Sequence, residues 1–242
     1  MMRNLLWRGM LAGLVGAFVA ATFALLFAEP QIDAAVAFET RSAVHAAQAM
    51  PADEELVSRA TQKTWGLYTA MGLYGTALGG LLSIVFAGMY GRVARIGPRS
   101  LSLLLALAAF VAIVLVPAIK YPPTPPAVGL HETVRLRTAA YFAMLALSVL
   151  AATGALWTYR RLGGRFAGLD RLLIAAGVYL GAVALLQNLL PVVDEVPADF
   201  PATLLWQFRL ASIGTQAVFW FVAADLFGRA AERQLLAAGA RP

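Results

Sequence analysis

Residues 5–27 read LLWRGMLAGLVGAFVAATFALLF, a run whose one charge, Arg8, lies near its start. Crossing a hydrocarbon core of about 30 Å takes roughly 20 mostly apolar residues. Inside that core every backbone N–H and C=O needs an internal partner, and a helix supplies one for each. The stretch therefore reads as a transmembrane helix. Gly9, Gly13, Ala17 and Ala21 recur every four positions in it and line one face, as helices do where they pack closely in lipid. A cleaved signal peptide is the alternative, since Arg3 and Arg8 lead into the apolar run. No clean A-x-A site lies before Glu29, however, and a cleaved segment would have no use for a packing stripe.

Working outward, five more runs qualify, at about 66–89, 101–118, 138–159, 172–190 and 204–227. The expected fold is all-α: a polytopic helical bundle of about six transmembrane helices, one membrane domain over 1–242, with a helical loop at 28–65. Composition agrees. Of 242 residues, 60% are hydrophobic and 13% charged, against about 45–50% and about 25% in soluble domains. That excludes a disordered chain and argues against a soluble enzyme. The net charge of +6 would suit nucleic acid, but the basic residues fall in alternate loops between apolar runs. The expected partner is the lipid bilayer, with no nucleic acid. The chain has no cysteine, so disulfides, iron–sulfur clusters and thiolate metal sites are excluded.

Those basic residues set an orientation. Arg3 and Arg8, then Arg92, Arg95 and Arg99, then Arg160, Arg161, Arg165 and Arg171, and finally Arg229, Arg233 and Arg241 crowd one side. Arg41, Arg59, Lys63, Lys120, Arg135 and Arg137 are fewer and lie on the other. Both termini are expected in the cytoplasm. The outer loops then hold Glu29, Asp33, Glu39, Asp53, Glu54, Glu55, Glu132, Asp194, Glu195 and Asp199. Solvated loops explain this plainly. A vestibule attracting cations is the functional alternative.

Within the first outer loop, Ile32–Ala49 favours helix. Ala52–Lys63 favours a second, with Asp53, Glu54 and Glu55 in its first turn, where acids suit the helix dipole. That second helix is expected to run into the following span. The third loop carries Pro122, Pro123, Pro125 and Pro126, a run that favours extended polyproline II geometry and makes either a rigid cap or a stiff connector. Gly75, Gly79, Ser83 and Ala87 form a second stripe at a spacing of four, and Gly177 and Gly181 begin a third. Packing between helices of this chain is the plainer reading of all three; a dimer seam or a substrate path is the other. The two halves share no convincing sequence repeat.

Arg209 is the oddest intramembrane residue, about five residues into the last span, or roughly 8 Å at 1.5 Å per residue. Such an Arg has a carboxylate partner or faces a water-filled cavity, or else it snorkels outward. Glu29, Asp194 and Glu195 are the candidate partners. His131 and Glu132 are adjacent, and imidazole with carboxylate suits divalent first-row metals. They form a site only if the fold brings them to His45 and to acids such as Glu29 or Asp194. The motifs GxSxG, HExxH and the Walker loop are absent, and no paired carboxylates lie within the spans, so an enzyme is not expected.

Three segments resemble the CbtA family of cobalt transporter subunits, bacterial inner-membrane proteins. They are an Arg-bearing first span ending in Ala28-Glu29-Pro30, the loop Lys120-Tyr121-Pro122-Pro123-Thr124-Pro125-Pro126-Ala127-Val128-Gly129, and Phe200-Pro201 followed by Leu205-Trp206-Gln207-Phe208-Arg209-Leu210-Ala211-Ser212. The resemblance covers most of the chain. It implies uptake of divalent cobalt for cobalamin synthesis, with no permanently bound cofactor, and a small histidine-containing membrane partner of the CbtB family. Nickel is the alternative cargo, because its coordination preferences overlap those of cobalt. On this reading Glu29, His131, Glu132, Asp194 and Glu195, with His45, form the metal-gathering mouth. Arg209, Trp206 and the four loop prolines order or gate it. A non-transporting membrane scaffold or assembly subunit is the competing function, supported by the scarcity of charge inside the spans.

Overall fold

The computed structural model describes residues 2–45, 57–92 and 96–237. Every regular element among them is helical: α1 (Met2–Phe27), α2 (Glu29–His45), α3 (Arg59–Met89), α4 (Pro98–Lys120), α5 (Val134–Arg161), α6 (Gly168–Leu189) and α7 (Ala202–Ala237). All but α2 are long and apolar enough to span a membrane, which matches the six expected spans. Most run past the expected ends by a few residues, because flanking polar residues continue the helix, and α7 exceeds its expected end by ten. The loop helix differs more. Val57 and Ser58 are not helical, and Ser58 caps α3, its side chain accepting from the Thr61 N–H. Of the helix expected over 52–63, the described part is helical only from Arg59, and it does continue into the span. Asp53, Glu54 and Glu55 lie outside the described residues.

The chain forms two compact units. The first comprises residues 1–108, 124–128 and 198–242, and the second 109–123 and 129–197. In the first unit α1 is sandwiched between α3 and α7. Its stripe meets the stripe of α3 backbone to backbone: a Cβ on Gly9 would lie 2.5 Å from the Gly79 oxygen, and one on Gly13 would lie 2.9 Å from the Gly79 Cα. Such approach maximises dispersion contact where burial from water gives no drive. On its other side α1 places Gly16 against Ala223 and Phe23 against Gly214 of α7. Arg8 also donates to the Ala230 carbonyl at 3.0 Å. The opposed numbering makes α1 antiparallel to both neighbours. Phe86, Phe219 and Phe227 fill the core of this unit.

The second unit packs α5 on α6 and on the end of α4, around Val116, Tyr121, Ala140, Met144 and Val183. The Ser148 and Tyr179 hydroxyls pair at 3.0 Å. Pro191 has no N–H to give the Gln187 carbonyl at the end of α6, and Lys120 Nζ donates to it instead at 2.6 Å. Gln187 Nε2 in turn donates to the Val116 carbonyl. The Tyr121 hydroxyl donates to the Pro191 carbonyl at 2.7 Å, and burial raises its pKa above the ordinary phenol value. The third glycine stripe behaves unlike the other two. A Cβ on Gly177 or Gly181 would meet nothing within 4 Å, so among the described residues neither packs a neighbouring helix of its own unit.

Candidate functional site

Among the described residues, three clusters of ion-paired side chains stand out. In the first unit, Glu29 opens α2 as a buried residue, 7% exposed, and is ion-paired with Arg59. Asp33, one turn on, accepts from Arg59 Nε at 3.3 Å and from Lys63 Nζ at 3.1 Å. Both bases begin α3, so the cluster ties α2 to the start of that span. The hydrogen bond from Lys63 holds the Asp33 carboxyl below its ordinary value, with Arg59 adding to the effect. A depressed folded pKa contributes stability above the unfolded value of about 3.9, lost as pH falls through the folded pKa. The Asp33 tie should therefore be unchanged from neutral pH down to the ordinary carboxylate range and weaken only below it. A carboxyl NMR titration of Asp33 would check this, and Lys63→Ala should move its midpoint upward.

At the other end of the same unit, Asp225 of α7 accepts from Arg99 Nε at 2.7 Å and from Arg229 Nε at 2.8 Å. Its side chain is 17% exposed. Ser102 Oγ donates to the neighbouring Ala224 carbonyl at 2.8 Å, clamping α4 to α7. The i, i+4 spacing of Asp225 and Arg229 was the signal for this second cluster.

The second unit holds the third cluster. Arg137 of α5 donates to Glu195 Oε2, and the Glu195 side chain is only 4% exposed. Gly129, with φ of +132°, leaves room for both: a Cβ there would collide with the Arg137 guanidinium and lie 3.2 Å from Glu195 Oε2. Asp194 is exposed and accepts from the Val196 N–H at 3.5 Å.

The remaining expected site residues are placed as follows. His131 and Glu132 lie in a single 3-10 turn, His131–Thr133, leading into α5, with Glu132 exposed. His45 ends α2. Arg209 is half-buried in α7 and Trp206 is 61% exposed. The proline loop does not stay extended. Val128 N–H donates to the Pro125 carbonyl at 3.3 Å, and Ala127 at the corner has φ of +66°. That turn seats Val128 in a small core with Ala35, Phe200 and Leu205, where Phe38 and Phe200 pack edge to face. Pro125 is buried in this turn, while Pro122, Pro123 and Pro126 are half-buried.

Among the described residues, no group of three or more His, Asp or Glu stands close enough to hold a metal ion. What the clusters do chemically is lock helices, each pairing carboxylates with guanidinium or ammonium groups. Two of the expected ligands, Glu29 and Glu195, are held in this way. Their Arg partners carried no spacing signal, since they lie 30 and 58 residues away.

Neither the curated proteins nor the solved structures contain a match to this chain. One family model does match, described as a probable cobalt transporter subunit (CbtA), and it covers residues 2–232 of the 242. With six membrane-spanning helices and that match along nearly its whole length, the chain is an integral membrane protein that belongs to the CbtA family of probable cobalt transporter subunits.

Proposed function

We propose that the protein is the conduit subunit of a divalent cobalt importer in the bacterial inner membrane, feeding cobalamin synthesis. The observation that carries this reading is the family match over residues 2–232. Both termini lie in the cytoplasm, as the positive-inside rule requires of the Arg-rich ends. The antiparallel packing in the first unit supports this, because Arg8, Arg92, Arg99 and Arg229 share one end of it, opposite Glu29 and Asp33. The word subunit implies a partner, and a small histidine-containing membrane protein of the CbtB family fits. Capture of the ion then falls largely to that partner. Within the second unit Asp194, Glu132 and His131 attract the cation, and Glu195 joins as a ligand only when Arg137 lets go; within the first, His45 attracts it, and Glu29 joins only when Arg59 lets go. The membrane potential supplies about 2.3 kcal/mol per charge per 100 mV, and about twice that for a divalent ion, so modest accumulation needs no ATP.

Radiolabelled cobalt uptake in cells lacking their own importers tests this. The expected result is uptake above empty vector when the chain is expressed with its small partner. Uptake by the chain alone, lost in His131→Ala with expression intact, would give it a capture site of its own. If the folded protein with its partner never exceeds vector, the importer reading fails and a non-transporting assembly role takes its place.

A further inference from the structure

Polar side chains in a membrane helix ordinarily spend their hydrogen bonds on their own backbone or on a neighbouring helix. In α7, Ser212 Oγ donates to the Phe208 carbonyl at 2.9 Å and Thr215 Oγ1 to the Ala211 carbonyl at 2.8 Å. Two groups in the same stretch do not follow this pattern. Trp220 is 5% exposed, and its indole Nε1 is buried without a hydrogen-bond partner among the described residues. Gln216 Oε1 is buried and unpartnered in the same way. The two residues are four apart, so they lie one above the other on a single face of α7, with Cβ atoms about 5–6 Å apart. One atom can only donate and the other can only accept. A buried polar atom left alone in this way signals water or an ion, and here two complementary ones lie one helical turn apart in the middle of a span.

We propose that this face of α7 lines a hydrated cation path, with Gln216 and Trp220 holding a water that forms part of the passing ion's shell. A water accepting from Trp220 Nε1 and donating to Gln216 Oε1 is fixed at two points and keeps one lone pair free. That lone pair is the ligand a small divalent cation takes when it retains part of its hydration shell. The indole N–H repels a bare cation, so it orients the water without binding the metal itself. This deepens the transport reading and rests on it. α7 carries no carboxylate before Asp225, which lets the ion leave as readily as it enters.

The natural sequence contains no cysteine, so single-cysteine scanning needs no background removal. Gln216→Cys and Ile213→Cys place a thiol on the proposed face, and Phe221→Cys places one at a residue 66% exposed on the outside of the bundle. Each is treated in membranes with a small charged thiosulfonate reagent, with and without cobalt chloride. Thiolate is the reactive form, and a thiol in hydrocarbon stays protonated, so labelling on the proposed face should run at least about tenfold faster than at 221. Cobalt should slow it several-fold. Labelling at both 213 and 216 no faster than at 221 would overturn the proposal, even where cobalt uptake is intact. Fast labelling that cobalt leaves unchanged upholds the hydrated path, and the failure then belongs to the cobalt reading.

Discussion

Gly13→Leu is expected to give the largest loss of folded protein of any single glycine substitution in α1. A Cβ at Gly13 would overlap the Gly75 carbonyl oxygen and lie 2.9 Å from the Gly79 Cα. Both obstacles are backbone, so no side chain can swing away and the helices must part. Overpacking where side chains can adjust costs about 1–3 kcal/mol, and this case belongs at or above the top of that range. At about 2–4 °C per kcal/mol for a chain of this size, the loss of monodisperse protein in detergent should move down by about 10 °C. Gly177→Leu is the matched control: its Cβ meets nothing within 4 Å, and an open site should stay within about 0.5 kcal/mol. Equal losses in the two variants would mean that the first unit is not held by its glycine stripes.

The contrast between those two glycines measures what the sequence could convey. The number and class of the spans were legible because lipid imposes a length and a composition on each one. The stripes of α1 and α3 were legible as stripes. Nothing in the spacing of Gly177 and Gly181 separated them from Gly75 and Gly79, since a four-residue period describes a face and not what covers it. The start of α3 was not legible: the helix expected over 52–63 is interrupted at Val57 and Ser58, and the capping hydroxyl of Ser58 sets the start of α3 at Arg59. The proline run concealed a turn in the same way: its extended preference is local, and the burial of Val128 against Phe200 overrides it. Least legible were the carboxylate partners. Asp225 with Arg229 has a helical period, but Glu29 with Arg59 and Glu195 with Arg137 are joined only by tertiary structure.

Arg137→Ala is expected to be the most damaging change to a charged residue in the second unit. It would leave Glu195, 4% exposed at its side chain, as a buried carboxylate without its cation. Breaking a buried pair from one side costs about 3–5 kcal/mol. Arg137 is 32% exposed, which lets water reach the site and places the expected cost near about 3 kcal/mol. Glu195→Gln should be milder, because the stranded Arg137 can turn its charge toward solvent. Adding Glu195→Gln to Arg137→Ala should recover part of the loss by removing the uncompensated charge, and thermal unfolding of the four proteins in detergent gives that cycle. If Glu195→Gln proves worse than Arg137→Ala, the carboxylate is not the buried partner. The same proteins decide whether Glu195 is a ligand held in reserve. A cation that binds only the folded state raises its stability by mass action. Cobalt should therefore stabilise Arg137→Ala more than the unaltered protein, and should stabilise the double variant no more than the unaltered protein. Equal cobalt responses in the two Glu195-bearing proteins would leave Glu195 as a structural acid, and the metal-gathering role would fall to the exposed Asp194 and Glu132.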